Sequence, residues 1–533
     1  MIAQYAAGVY PHDSITTIRP ETLAVMEETG VYGFVVDNAY GRPDPEAGVQ
    51  PMPTGLTDAQ HVLWIRRHGW QYSYEAFQPP LYYAVAVPAW WIGDRVGGPL
   101  GAVYSVRIFD ALLAALLTPL SLLIALRVWP GSVNLGWGAA VLTATLPGVA
   151  LNLTGITNDV LVSVLGAACV LVAISGTWSR RRVVLLGVLL GAALLTKTTA
   201  IGLAPALAIA LLQRRRGGGW RGVLGAGAIS AAMVVPLIAS NVIIYGEPLT
   251  TREQLAMAAF PARTAELDFW TVSTLHAFVT FWTGDPFLSL PLAVPLALVA
   301  TLISAFALAG LVRAERTSAF AVVALAAAGA ALVSVTSPVL AAFNAPGRLA
   351  YVGVSAAMAL VAGGLWLELA SPRLRRAIVG GFAALSLIGL AALIAPLGPQ
   401  PQYSGPPTPA RETSPQAFGS FANVQISLIS CVVDPAGNLW LGIGIENNGN
   451  TRAEWSQNAE ITVGDSTVAT SDYRRSTPFA LALGPGPGFT SGWLYFGPRE
   501  RMGSLGTVTV RFRNIAVDGY RKTGDISIPT ALC

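Results

Sequence analysis

Charge is what this chain has least of. Asp, Glu, Lys and Arg make up 12% of 533 residues, against about 25% in soluble domains. That scarcity, beside 53% hydrophobic residues, excludes an ordinary soluble protein and puts most of the chain in a membrane. Cysteine is scarcer still: Cys169, Cys431 and Cys533 are the only three, too few for a cysteine-rich metal site or a disulfide scaffold. The formal charge of +4 arises from short arginine clusters between apolar runs. No basic block of the kind that binds nucleic acid is present. The opening MIAQYAAGVYPHD lacks the basic start and continuous apolar core of a signal peptide. No internal repeat at a period of about 20–50 residues stands out.

What is present is a series of long apolar runs. They cover about 104–126, 136–153, 158–177, 183–197, 199–213, 222–243, 288–312, 318–337, 349–369 and 377–396. The pair within 183–213 is short and broken around Lys197, so a single bent hairpin is an alternative there. Arg127, Arg180–Arg182, Arg214–Arg216, Arg313 and Arg373–Arg376 fall in alternate loops. The positive-inside rule puts those loops in the cytoplasm and everything between them outside. The expected fold is a polytopic α-helical membrane protein of about ten transmembrane segments, with an outer N-terminal loop region and a C-terminal extracytoplasmic β-sandwich. Its parts are an extracytoplasmic loop and juxtamembrane helices over 1–103, a helical domain over 104–396, a Pro-rich linker over 397–416 and the sandwich over 417–533. The last assignment rests on alternating stretches such as VQISLIS, LWLGIGIEN and GTVTVRFRN with Gly, Asn and Pro turns between them. Cys431 and Cys533 in that exported domain either form a disulfide pinning the C-terminus or remain two buried thiols. Trp440, Trp455, Trp493 and Tyr495 are either core residues, the better default, or a carbohydrate-binding surface.

Polar residues at membrane depth are expensive and therefore candidates for function. Gln78 and Glu75 stand just before Pro79–Pro80, which stiffen the start of the next helix. Leu81, Tyr82, Tyr83, Trp90 and Trp91 then suggest an aromatic belt. Arg107 and Asp110, three residues apart on one helical face, either pair with each other or bind phosphate. Asn158 and Asp159 open a helix, where Asp159 is either a cap or a functional carboxylate. Lys197, the lone lysine of the apolar body, either takes an anionic partner, a protein carboxylate or a lipid phosphate, or snorkels to the interface. Arg348 opens a late run. All of these fall on the outer side, so a polar outer cavity is expected. A flippase for a lipid-linked glycan would also need such a cavity, but inverted repeats are not evident. An envelope assembly scaffold would not need these groups to converge.

Several stretches taken together resemble bacterial members of the glycosyltransferase C superfamily, including protein O-mannosyltransferase-like and lipid A aminoarabinose transferase-like enzymes. They are Gln78–Tyr83 after a glutamate, Arg107-Ile-Phe-Asp110, Thr157-Asn158-Asp159, Leu195–Thr199, Asn241–Pro248 and Gly347-Arg348. The likeness covers about residues 60–370 and rests on the order of the motifs. It implies a polyprenyl phosphate-linked sugar donor, a glycan, lipid or protein acceptor outside the membrane, and a divalent metal ion. It assigns Glu75 and Asp159 to catalysis and to the metal, while Asp58 is either a further catalytic acid or an ordinary loop acid. Gln78, Arg107, Asn158, Lys197 and Arg348 are assigned to substrate binding. The chain departs from the family in lacking a first membrane helix followed by an acidic motif, and its start resembles the stretch just after that motif. A truncated start is the corresponding expectation, with Asp58 a weak substitute for the missing acid.

Overall fold

A computed structural model of the chain describes residues 2–8, 78–175, 179–213, 219–250, 267–284, 290–341, 347–394, 411–413, 417–449, 453–455, 459–464, 466–472, 482–483, 488–502, 507–517 and 522–533. The chain divides into two compact units, one holding the described residues through Ile394 and the other those from Arg411.

The first unit is helical throughout. Its elements are α1 (Ile2–Ala6), α2 (Leu81–Val128), α3 (Val133–Ala144), α4 (Pro147–Leu153), α5 (Asn158–Ile174) and α6 (Arg180–Thr196). A 3-10 segment (Thr198–Leu203) leads into α7 (Ala204–Leu212), followed by α8 (Gly219–Tyr245), α9 (Leu267–Thr283), α10 (Leu290–Val312) and α11 (Ser318–Ala341). A second 3-10 segment (Gly347–Gly353) precedes α12 (Val354–Glu368) and α13 (Pro372–Ile394). Each apolar run read from the sequence has a helical counterpart here. Among the described residues six helices are long and apolar enough to cross a membrane on their own. The α3–α4 pair, bent by 49°, makes a seventh if it is one span. The region 183–213 forms two short helices that break at Lys197.

Solvation by lipid explains which faces these helices bury. On α2, Ile108, Leu112, Leu116 and Leu123 are exposed, while Asp110, Ala114, Leu117, Ser121 and Ile124 are buried. Polar groups turn inward because hydrocarbon offers them no partner. Thr143 Oγ1, on α3, donates to Ser121 Oγ at 2.8 Å, and Ser121 Oγ donates to the Leu117 carbonyl.

Helix α2 is a hairpin rather than a rod. On a straight helix Tyr82 and Asp110 would stand about 42 Å apart at 1.5 Å per residue, yet the Tyr82 hydroxyl donates to Asp110 Oδ2 at 2.7 Å. The reversal sits at Gly97 and Gly98, whose backbones leave the helical region. Gly98 has φ +61° and ψ −157°, a combination essentially restricted to glycine. The arms 81–96 and 99–128 then meet so closely that a Cβ on Gly93 would lie 2.3 Å from the Gly101 carbonyl oxygen. Tyr82 and Tyr83, expected in an aromatic belt, are instead buried by this fold-back, and only Trp91 of the aromatic pair behind them is exposed. Trp91 Nε1 donates to the Ala6 carbonyl and Tyr5 stacks on Tyr83, which seats α1 on the first arm.

Helices α5 and α6 pack together and are pinned at both ends. The Arg182 guanidinium donates to the carbonyl of Ser175, the residue that closes α5. At the other end Lys197, the C-cap of α6, meets Asp159 in the first turn of α5. Arg375 repeats the first device: its Nε donates to the carbonyl of Leu369, the C-cap of α12, at 2.6 Å, and its guanidinium lies over Trp366. The Gly347–Gly353 segment is held by α9. Its first amide, on Gly347, donates to Thr280 Oγ1 at 2.7 Å, and a Cβ there would lie 2.1 Å from the Phe281 nitrogen. Only glycine fits that approach.

The second unit is an antiparallel two-sheet sandwich, as its alternating stretches predict. One sheet orders β1 (Arg411–Thr413), β3 (Val424–Val433), β4 (Asn438–Asn447) and β9 (Gly488–Pro498), with β2 (Ala417–Phe421) also on β3. The other orders β7 (Ser466–Thr470), β6 (Ala459–Val463), β10 (Thr507–Val517), β5 (Ala453–Glu454) and β8 (Ala482–Leu483), with β11 (Lys522–Ala531) on β10. Ile426, Leu441, Ile443 and Ile445 from one sheet meet Ile461, Val510, Phe512 and Ile528 from the other in a common core. Trp455 joins that core, while Trp440 and Tyr495 stack edge-on with centroids 4.9 Å apart in a separate small cluster with Val432. Packing therefore occupies these three rings. Cys431 on β3 is disulfide-bonded to the terminal Cys533, the Cα atoms 5.7 Å apart.

Candidate functional site

Four of the polar residues singled out from the sequence, Gln78, Asn158, Asp159 and Lys197, meet where α2, α5 and α6 come together. Thr157 takes an extended backbone and caps α5: its Oγ1 accepts the amide of Asp159 at 3.2 Å. The cap is thus Thr157, not Asp159, and the Asp159 carboxylate is left to act elsewhere. Its Oδ1 takes the Lys197 Nζ at 2.6 Å, and its Oδ2 accepts the Thr157 hydroxyl at 3.2 Å. Asn158 donates through Nδ2 to Gln78 Oε1 at 3.3 Å, tying the Pro79–Pro80 lead-in to the same turn.

Why Lys197 points here follows from its backbone. Helix α6 stops at Thr196, and Lys197 at φ −160° and ψ 132° is extended, the single residue between α6 and the Thr198–Leu203 3-10 segment. From Arg180 to Thr196 is 17 residues, about 26 Å of helix at 1.5 Å per residue, close to the thickness of a hydrocarbon core. Lys197 therefore lies near one membrane face when the Arg180–Arg182 run lies near the other. Both members of the ion pair are largely withdrawn from solvent, with 14% of the lysine and 4% of the aspartate side chain exposed.

Asp110 adds a carboxyl behind this pair. It is fully buried, accepts the Tyr82 hydroxyl at 2.7 Å, and is approached by the backbone amide of Thr157. Of the two readings of Arg107 and Asp110, pairing with each other is not what forms: Asp110 turns inward to Tyr82, while the Arg107 side chain is exposed. The sequence offered one signal for the true partner, the Gly97-Gly98-Pro99 break that lets the chain reverse. Arg348 stands exposed at the first turn of the Gly347–Gly353 segment. That segment packs on the Thr198–Leu203 segment immediately after Lys197. Glu75 and Asp58 lie outside the described residues. So does Asp285, whereas Asn241 serves structure, donating to the Pro248 carbonyl at 3.0 Å.

Among the described residues no group of three or more His, Cys, Asp or Glu side chains could hold a metal ion. Asp159, the one expected ligand described, has both oxygens engaged by Lys197 and Thr157. The other expected ligand, Glu75, lies outside the described residues.

No protein-family model matches the chain, and no curated protein matches it. Two solved structures are similar to it. The crystal structure of ArnT from Cupriavidus metallidurans bound to undecaprenyl phosphate is 17% identical, over 74% of this chain and 63% of that one, at a TM-score of 0.40. The same protein in the apo state is 18% identical, over 76% and 65%, at a TM-score of 0.42. The chain thus spans less than two thirds of the length of these structures. A likeness of this degree carries no argument about the site, which rests on its own residues.

Proposed function

We propose that the protein is a membrane glycosyltransferase that moves a sugar from a polyprenyl phosphate-linked donor to an acceptor on the extracytoplasmic side. The observation that carries this reading is the convergence of Gln78, Asn158, Asp159 and Lys197 at one end of a lipid-facing bundle. A scaffold would have no use for such a grouping. The resemblance of these same residues to glycosyltransferase C motifs supports the reading independently of any contact.

The ion pair suggests how the groups would work. A donor phosphate reaching Lys197 competes with Asp159 for the ammonium, and a charge-assisted hydrogen bond to phosphate is a strong one. Exchange of partners leaves the Asp159 carboxylate free to accept a proton. The acceptor hydroxyl then bonds to the anomeric carbon, the bond from that carbon to the phosphate oxygen breaks, and its electron pair leaves on the phosphate. The hydroxyl proton goes to Asp159 or to Glu75. Lys197 stabilises the charge growing on the departing phosphate, with the exposed Arg348 as a second cation, the kind of electrostatic preorganisation on which such transfers depend.

The test measures undecaprenyl phosphate binding and sugar transfer from a radiolabelled polyprenyl phosphate donor. Lys197→Ala is expected to weaken binding about ten- to a hundredfold, the worth of one charge-assisted contact. Asp159→Asn should leave binding within a few-fold and depress turnover. Normal transfer with Lys197, Asp159 and Glu75 all neutralised would end the proposal.

A further inference from the structure

Asp110 is a buried carboxyl for which the proposed chemistry has no use. Both it and Tyr82 are 0% exposed, and their 2.7 Å bond joins the two arms of α2 across the Gly97–Gly98 reversal. Its second oxygen, Oδ1, is buried with no hydrogen-bond partner among the described residues. The backbone amide of Thr157 also approaches the carboxyl. Thr157 is the cap from which Asn158 and Asp159 project. Tyr82 belongs to the same short lead-in as Gln78, four residues before it, and Gln78 is the residue Asn158 holds. Asp110 therefore faces both halves of the polar cluster at once, the lead-in through Tyr82 and the turn through Thr157.

Stability alone does not account for such a group. An apolar pair of similar volume at the Tyr82 and Asp110 positions would cost the membrane unit little and spare it a buried carboxyl. What an apolar pair would lack is direction: a hydrogen bond fixes where the 78–83 segment sits relative to the 157–159 turn, and packing alone does so loosely.

We infer that Asp110 is a positioning residue, locking the 78–83 lead-in and the Thr157–Asp159 turn into the one arrangement in which Asn158 meets Gln78 and Asp159 meets Lys197. The inference relies on the proposed function only for the identity of the ligand.

Hydrogen–deuterium exchange on the full chain in detergent micelles tests it without any ligand. Asp110→Leu and Tyr82→Phe are each expected to speed amide exchange about tenfold in both 81–87 and 155–160, with α11 and the sandwich unchanged. Asp110→Asn keeps an acceptor for Tyr82 and should stay within about threefold of the parent. Undecaprenyl phosphate affinity should fall about tenfold in Asp110→Leu and in Tyr82→Phe, no further in the double variant, and recover in Asp110→Asn. Should Asp110→Leu fail to fold, Tyr82→Phe, which loses one oxygen atom, decides alone. Unchanged exchange in both segments overturns the inference, as does a rise spread evenly over all the helices, which marks a purely structural bond. If exchange responds locally while the parent protein binds no undecaprenyl phosphate, the positioning role stands and the glycosyltransferase reading falls.

Discussion

Removing Lys197 should destabilise the protein more than removing both members of its ion pair. In the structure Nζ lies 2.6 Å from Asp159 Oδ1, and 4% of the aspartate side chain is exposed. Lys197→Met leaves that carboxylate without its cation in a low-dielectric site. Breaking a buried pair from one side typically costs 3–5 kcal/mol. The lysine retains 14% exposure, so about 3 kcal/mol, the lower end, is expected here. Asp159→Leu should cost less, because a lysine can carry its ammonium along a flexible stem to the interface. The double variant, Lys197→Met with Asp159→Leu, has no buried charge left and should lie within about 1 kcal/mol of the parent. Unfolding by graded SDS in mixed micelles gives all four stabilities and hence the coupling between the two residues. If the double variant loses the sum of the two single losses, the residues do not interact, and the geometry assigned to the site is wrong. The single variants also separate stability from function. Lys197→Met should lose phosphate binding even under conditions where it remains folded.

Two further outcomes concern the sandwich. Cys431→Ser should lower its stability by about 3–5 kcal/mol, because the bond to Cys533 closes a long loop, with a sequence separation of 102; peptide mapping under non-reducing conditions should recover the linked pair, and two freely alkylated thiols would contradict it. Burial raises the Asp434 carboxyl, but hydrogen bonds from the Trp440 indole and from the backbone and side chain of Asn438 outweigh it and hold the group below its ordinary range. A depressed folded value contributes stability that is present above the unfolded value near pH 4 and is lost as pH falls through the folded one, so Asp434→Asn should flatten the acid limb of the unfolding curve and leave no difference in slope at neutral pH.

The helices and strands were legible because their signals are local. Twenty apolar residues or a period-2 alternation can be read without knowing what lies beside them, and VQISLIS, LWLGIGIEN and GTVTVRFRN each became a strand. Lys197 and Asp159 were also legible, each as a charge that needed an explanation. That each explains the other was not, because 38 residues separate them and nothing in the spacing brings the C-cap of one helix to the first turn of another. Asp110 shows the same limit more sharply. Arg107, one turn away, was the partner visible in the sequence. The real partner, Tyr82, is 28 residues away and reaches it only because Gly98 can adopt a backbone that no other residue holds comfortably.

The arginines that cap helices bear on how the topology of this protein can be measured. Arg182 and Arg375 belong to the basic clusters from which the orientation of the chain is read, and each also closes the carbonyl end of the helix before it. Charge-deletion experiments are the usual way to ask which loop stays in the cytoplasm. In this protein such a deletion also frays α5 or α12 at its last turn, so a change of orientation would not report charge alone. Lysine at these positions would keep the charge and lose the planar donor geometry. Paired arginine-to-lysine and arginine-to-glutamine exchanges at Arg182 and Arg375 would therefore separate the signal that orients the chain from the bond that finishes the helix.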